Sequence, residues 1–267
     1  ALQAGTSHDL GQNFAKAFDL TFQSEEGTIE HAWNTSWGVS TRMIGALVMT
    51  HGDDTGIRVP PLLAPVEVVV VPIYRKDDER DRVLEAAHAL VARLRDWEQR
   101  EPGRLRVHLD AREGIKPGAK YYHWEMRGIP LRLELGPKDI EKNQCVLVRR
   151  DTREKRPASL DTVGEDVADL LSAMQKDMLI AARERMDRNT IRERVDYAHF
   201  REVMDGDGAF VFAGWCGSTA CEQRIKEETK ATIRCLPDEE FRSAEPPTHC
   251  LLCGEPATEE ALWARAY

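Results

Sequence analysis

The chain has 267 residues, 42% of them hydrophobic and 31% charged, with a formal net charge of −9. That is room for two or three domains with buried cores, and it excludes a uniformly basic nucleic-acid binder, so any RNA contact must come from a local basic face. No apolar run approaches membrane-spanning length and the N-terminus has no signal-peptide pattern, so no membrane partner and a cytoplasmic location are expected.

The opening Ala1-Leu-Gln-Ala-Gly-Thr-Ser-His8 has no initiator Met and reads as a segment beginning in mid-domain. Residues 1–60 are expected as strands and loops around a polar pocket. Within them Ser40 to Met49 carries apolar residues at helical spacing and predicts a buried helix with Arg42 in its first turn. Val59-Pro-Pro-Leu-Leu-Ala-Pro65 is a proline-rich connector that neither helix nor sheet can cross, and it marks a domain boundary.

An alternation of strands and helices follows. Val66 to Ile73 is β-branched and almost wholly apolar, as expected of a strand covered on both faces. Asp81 to Arg95 predicts an amphipathic helix, Leu105 to Leu109 a strand, and Pro117 to Arg127 a second helix ended by Gly128. Pro130 to Leu135 and Gln144 to Val148 predict two more strands. The order β-α-β-α-β-β implies a small α/β domain with a largely parallel sheet. After the charged run Arg149 to Arg156, Ser159 to Arg194 predicts one or two long amphipathic helices. The remainder is expected to be a mixed α/β unit.

Six cysteines are present. Cys216-Gly-Ser-Thr-Ala-Cys221 and Cys250-Leu-Leu-Cys253 are two tight pairs, and two such turns supply the four thiolates of a tetrahedral Zn²⁺ site. With no export signal the cysteines are expected as thiols in a reducing cytosol rather than as disulfides. Four thiolates close the zinc shell, so a structural metal is expected. Cys145, in an apolar run, reads as an inert buried thiol. Cys235 has no partner at loop spacing, but could replace one ligand.

Two further constellations combine polar and charged groups. Gln3, Thr6, Ser7 and His8 stand with Trp37-Gly-Val-Ser-Thr-Arg42. An Arg at the start of an apolar helix favours an anion or a π-face, and a nucleotide offers both; a surface Arg beside turn-capping hydroxyls fits the spacing as well. The second is Glu125 at a helix end, Arg132 on a strand and Lys138 in a tight loop. Arg can bind a guanine edge with two hydrogen bonds and Glu can accept from a base amino group. A solvated Glu125–Arg132 ion pair is the alternative.

The segment Leu2 to His8, with Leu10-Gly-Gln-Asn-Phe14, resembles the stretch before motif 3 of class II prolyl-tRNA synthetases. Ser36-Trp-Gly-Val-Ser-Thr-Arg-Met-Ile-Gly45, with His51-Gly-Asp53 and Val59-Pro-Pro61, resembles motif 3 itself. Trp124 to Asp139 is similar to that family's anticodon-binding domain. The two cysteine pairs, ending in Ala264-Arg-Ala-Tyr267, are similar to the C-terminal zinc domain of the archaeal/eukaryotic-type branch. The resemblance covers essentially the whole chain. It implies the C-terminal part of an enzyme that ligates L-proline to tRNA(Pro) through prolyl-adenylate, with ATP, Mg²⁺ and Zn²⁺. It also implies a homodimer formed through N-terminal sequence that the chain lacks.

The resemblance also distributes roles. Gln3, Thr6, Ser40 and Arg42 fall on ATP-contacting positions, with Gln3 a candidate to help hold Mg²⁺. His8, Trp37 and Gly38 fall on the proline pocket. Glu125, Arg132 and Lys138 fall on residues that read the anticodon guanines. Tyr267 matches a C-terminal tyrosine directed toward the active site. Asp9 departs from the His or aromatic residue usual at its position. The implied fold is a partial antiparallel catalytic domain over 1–62, an α/β anticodon-binding domain over 63–158 and a zinc-binding α/β domain over 159–267. Motifs 1 and 2 are absent, so the segment alone cannot complete an active site. A non-catalytic tRNA-binding protein that keeps the anticodon and zinc modules is the rival reading.

Overall fold

The computed structural model describes residues 2–97 and 103–265. The chain divides into two units, Ala1–Ala46 with Glu184–Tyr267, and Leu47–Arg183.

The N-terminal elements are β1 (Gly5–Gly11), α1 (Asn13–Ala17), β2 (Thr21–Gln23), β3 (Ile29–His31), β4 (Asn34–Val39) and α2 (Arg42–His51). β1 pairs antiparallel with β4, and β2 with β3. Asp9 has a local role here. Its carboxylate accepts from the Gly11 N–H at 2.9 Å, at the register shift where β1 ends. Helix α2 forms as expected, but none of its residues is buried, and Met43, Ile44, Val48 and Met49 are exposed. Periodicity shows that a helix has an apolar face. Burial needs a second layer, and among the described residues none covers this face.

The second unit is built on β5 (Val68–Pro72), α3 (Asp77–Arg95), β6 (Val107–Leu109), α4 (Pro117–Met126), β7 (Leu131–Leu135), α5 (Pro137–Glu141), β8 (Gln144–Arg149) and β9 (Lys155–Ser159). These form a five-stranded sheet in the order β6-β5-β7-β8-β9. β5 runs parallel to β6 and β7, whereas β7–β8 and β8–β9 are antiparallel. The sheet is thus mixed rather than largely parallel, because two short connections replace helical crossovers at one side. β9 overlaps the end of the stretch expected only as a charged run, Arg149 to Arg156, and continues to Ser159. Its Pro157 removes a donor and suits an edge strand. α3 starts at Asp77, four residues earlier than expected, on the acidic turn Asp77, Asp78 and Glu79.

β5 is buried along its whole length, and its two faces serve two cores. Val68 and Val70 join Leu131, Leu133, Leu135, Leu147 and α3 residues such as Leu90 and Leu94. Val69 and Val71 pack with Trp124 and Ile129. Because side chains alternate along a strand, Arg132 and Glu134 of β7 share the α4-covered face with their register partners Val69 and Val71. The single helix α6 (Val163–Arg188) contributes Val163, Val167, Leu170 and Leu171 to the first of these cores.

The C-terminal elements are β10 (Thr190–Ile191), α7 (Tyr197–Asp205), β11 (Phe210–Trp215), α8 (Thr219–Thr229), β12 (Ala231–Cys235) and β13 (Glu259–Arg265). They form a four-stranded sheet in the order β10-β11-β13-β12. Val211, Ala213, Ala261 and Trp263 on one face pack against Phe200 and Met204 of α7 and Ile225 of α8. The Phe200 and Trp263 rings meet edge to face with centroids 6.3 Å apart. This is the mixed α/β unit that was expected.

Candidate functional site

The β1–β4 ribbon and the start of α2 enclose a cavity of about 300 Å³ lined by Gln3, Ala4, Gly5, Thr6, Gly38, Val39, Ser40 and Arg42. The Arg42 guanidinium donates to Gln3 Oε1 at 3.2 Å, and the Arg42 backbone N–H donates to Ser40 Oγ at 3.3 Å. Thr6 pairs with Gly38 in the ladder, and a Cβ at Gly38 would lie 3.0 Å from Thr6 Oγ1. Glycine is what lets the two strands present open backbone at this point. The ribbon therefore gathers Gln3, Thr6, Gly38, Ser40 and Arg42. His8 lies two residues beyond Thr6 on the same ribbon face, whereas Trp37 pairs with Ser7 on the opposite face and is 79% exposed. Neither His8 nor Trp37 lines the cavity. Tyr267 lies outside the described residues.

A second cavity, of about 270 Å³, opens on the α4 face of the five-stranded sheet. Thr55, Trp124, Glu125, Ile129, Arg132, Arg149, Arg150, Arg153 and Lys155 line it, together with Val69 and Val148. Five cations against one carboxylate make it locally positive on a chain of net negative charge. Arg132 donates through Nη1 to Glu125 at 2.8 Å and through Nε to Glu134 at 3.1 Å. Its guanidinium stacks over the Tyr121 ring at 4.0 Å. Burial, with the Glu134 charge behind it, pushes the Tyr121 phenol up to about 12. Arg149 is committed to Asp151 and Asp177, each at 2.7 Å.

The expected pair Glu125 and Arg132 is thus bonded, and half-enclosed rather than solvated. Lys138 is on a helix, not in a loop. It is the second residue of α5, a turn closed by Gly136 N–H donating to Asp139 Oδ2 at 2.9 Å. It is exposed and lies outside the cavity lining. Arg150, Arg153, Lys155 and Thr55 also line the cavity, and Tyr121 and Glu134 contact Arg132; none of these was expected as a site residue. No local signal pointed to Lys155, because Lys155-Arg-Pro-Ala-Ser159 shows no apolar alternation.

Cys216, Cys221, Cys250 and Cys253 bring their four Sγ atoms within 4.8 Å of one another. Cys216 Sγ is 3.7 Å from Cys221 Sγ and 3.8 Å from Cys253 Sγ. A tetrahedral shell with metal–sulfur bonds of about 2.3 Å sets its sulfurs about 3.8 Å apart, and a disulfide needs about 2.05 Å. The donor set therefore fits a closed four-thiolate metal shell. Burial alone would push the Cys250 thiol up. The backbone N–H groups of Cys253, Leu252 and Cys216 outweigh it and hold the thiol down at about 7. Cys235 stands apart from the cluster, exposed on the wall of another cavity with Arg192 and Phe212. Cys145 is fully buried, and burial pushes its thiol up to about 12, as suits an inert core residue.

The turn that carries Cys250 and Cys253 is docked directly on β11. Leu251 N–H donates to Gly214 O at 2.9 Å, and a Cβ at Gly214 would fall on the His249 carbonyl. Gly214→Ala is expected to destabilise this sheet by about 1–3 kcal/mol, the range for overpacking, and to disturb the four-cysteine cluster. Thermal unfolding with metal analysis of the variant checks this; an unchanged midpoint would show that the turn yields freely.

Residues 197–267 match the family described as prolyl-tRNA synthetase, C-terminal, and residues 67–170 match the anticodon binding domain family. A proline–tRNA ligase of Flavobacterium johnsoniae is 45% identical over 268 residues, covering 100% of this chain and 52% of that protein. Proteins of the same name from Roseiflexus sp. and Chlorobium phaeobacteroides are 46% and 47% identical, with 100% of this chain and 54% of each relative covered. The chain thus spans about half the length of the curated relatives it matches. It carries the anticodon-binding domain and the C-terminal domain of the prolyl-tRNA synthetases.

Proposed function

We propose that the chain is the C-terminal portion of an ATP-dependent proline–tRNA ligase. The observation that carries this is the cavity holding Gln3, Thr6, Ser40 and Arg42 together. A protein that only binds tRNA has no use for a nucleotide socket. In the reaction the proline carboxylate attacks the α-phosphorus of ATP and pyrophosphate leaves. The terminal ribose hydroxyl of tRNA(Pro) then attacks the prolyl-adenylate. No covalent enzyme group is needed, so positioning and charge neutralisation dominate. Arg42 supplies a cation for ATP, Thr6 and Ser40 supply hydroxyls, and Gln3 is assigned to ATP and Mg²⁺. His8, Trp37 and Gly38 are assigned to proline.

Zn²⁺ is proposed at the four thiolates as a structural ion, and the four-cysteine domain supports the archaeal/eukaryotic-type branch. The proposed domains are a catalytic remnant over 1–62, an anticodon domain over 63–158 and a zinc domain over 159–267. The exposed apolar residues Phe14, Phe18, Phe22, Trp33, Ile44 and Val48 support a catalytic layer completed, with its homodimer contact, by further polypeptide. No described helix is long and apolar enough to cross a membrane.

Proline-dependent exchange of pyrophosphate into ATP by the full-length protein tests the reading. Arg42→Ala is expected to lower exchange by about 10²–10³-fold, with tRNA binding intact. Exchange absent from the wild type with tRNA binding retained would leave only a binding module.

At the other cavity Arg132 and Glu125 are proposed to read the anticodon guanines, with Lys138 contacting the loop from α5. Nε and Nη1 of Arg132 are engaged, which leaves Nη2 for a base edge beside the Glu125 acceptor. Arg132→Lys keeps the charge and loses the planar fork. It is expected to weaken binding of a proline anticodon stem-loop by about 1–3 kcal/mol. An equal loss for a loop with adenines in place of the guanines would show a backbone contact only.

A further inference from the structure

The turn Asp53 to Gly56 lies outside the residues matched as anticodon binding, yet Thr55 lines the cavity. The turn is closed by two backbone hydrogen bonds of 3.0 Å between Asp53 and Gly56. It presses on the end of α4: Gly56 has φ +136°, and a Cβ there would sit 2.6 Å from Met126 Cα. Gly128, at φ +71°, leaves no room either, because its Cβ would lie 2.7 Å from Ile57 O. Only glycine permits this approach on both sides.

One guanidinium ties the turn to the cavity. The Arg150 side chain is 4% exposed. Nη1 and Nη2 form a bidentate pair with Asp53 at 2.9 and 2.7 Å, and Nη2 also donates to Gly56 O at 3.2 Å. Nε donates to the backbone carbonyl of Glu125 at 3.1 Å. The Asp53 carboxylate also accepts from Thr55 N–H at 3.0 Å and Thr55 Oγ1 at 2.7 Å, and Arg153 donates to Thr55 Oγ1 at 3.2 Å. Arg58, 3.9 Å from Asp53, is the other charge facing this carboxylate. Planar, bidentate contacts of this kind fix angle as well as distance.

We propose that the Asp53–Gly56 turn is a wall of the anticodon cavity, and that Arg150 is a positioning residue that sets Glu125 and Thr55 for guanine recognition. Arg150 touches no base. It acts by holding the Glu125 carbonyl and the turn at fixed distances from each other. The inference rests on the reading of this cavity as the anticodon site.

The test uses the full chain and two RNA stem-loops, one with the proline anticodon and one with its guanines replaced by adenine. Asp53→Asn keeps the shape and removes the charge that Arg150 grips, and Thr55→Ala removes only the hydroxyl at the wall. Each is expected to reduce the guanine-over-adenine preference by about fivefold to tenfold, while binding of the adenine loop stays within about twofold of wild type. Variants that keep the full preference, or that lose affinity for both loops equally, overturn the proposal and leave the clamp structural. A wild-type chain without guanine preference overturns the anticodon reading as well. If Asp53→Asn fails to fold, Thr55→Ala decides alone.

Discussion

Stripping the metal from the four-thiol cluster is expected to unfold the β10–β13 sheet while the five-stranded sheet survives. The cluster joins the start of α8, the end of β11 and the turn before β13, three segments whose sulfurs lie within 4.8 Å. Without an ion these are four thiols, one of them exposed, with weak mutual hydrogen bonds at most. A structural Zn²⁺ binds with an apparent free energy of about 10–16 kcal/mol in small zinc-dependent folds, as large as the whole stability of a domain of about 5–15 kcal/mol. The apolar core around Phe200 and Trp263 is small, so the proposed zinc is expected to decide whether it holds. Metal analysis is expected to give about one zinc per chain. Calorimetry after chelation, or of Cys250→Ser, is expected to lose one transition and keep the other. A chain that is native with no bound metal would reduce the cluster to packing.

Asp110→Ala is expected to cost about 3–5 kcal/mol in the five-stranded unit, because it strands buried charge. Asp110 is 1% exposed and sits just beyond β6. It accepts from Arg112 Nε and Nη2 at 2.8 and 2.7 Å and from Trp124 Nε1 at 2.8 Å. Lys120 Nζ is 3.9 Å from the carboxylate and donates to the Asp110 carbonyl at 2.9 Å. Lys120 is itself 3% exposed, and burial lowers its amine from the ordinary value. Removing the carboxylate leaves that ammonium without its counter-charge and the indole N–H without its acceptor. Trp124 lines the cavity proposed for the anticodon, so the stem-loop affinity is expected to fall with the stability.

The sign of the pH dependence follows from the same contacts. Burial alone would push the Asp110 carboxyl up, but Arg112 and Trp124, with Lys120 behind them, hold it well below the usual carboxylate range. A carboxyl depressed in the folded state stabilises above its unfolded value of about 3.9, and that stability is lost as pH falls toward the folded value. Asp53, depressed chiefly by its hydrogen bonds from Arg150, acts in the same direction. Urea unfolding between about pH 7 and pH 3 should therefore weaken steeply at the acid end, and less so in Asp110→Ala. Equal slopes for the two proteins would show that Asp110 contributes nothing through its charge.

Much of this was legible in local pattern. Leu131-Arg-Leu-Glu-Leu135 alternates, and the alternation alone put three leucines into one core and Arg132 with Glu134 on the other face. The cysteine spacings announced four thiolates in two turns, and the sulfurs do converge. Gln3, Thr6, Ser40 and Arg42 were grouped by resemblance and share one cavity. Where pattern failed, the reasons were physical. β9 was hidden because charge and a proline are tolerated on an edge strand. The expected burial of α2 failed because an apolar stripe records what a helix can pack against, not what does.

What the chain determined by itself is the set of local periods: which residues share a face, where glycine or proline must break an element, and which side chains could hold a metal. What only the tertiary structure decided is partnership across distance. Arg150 and Asp53 lie 97 residues apart and lock together, while Arg149 beside it turns to Asp151 and Asp177. Two adjacent arginines look alike in sequence. Their roles diverge because Arg149 ends β8 while Arg150 lies just past it, and because a bidentate ion pair forms only where packing has already brought the carboxylate within about 3 Å.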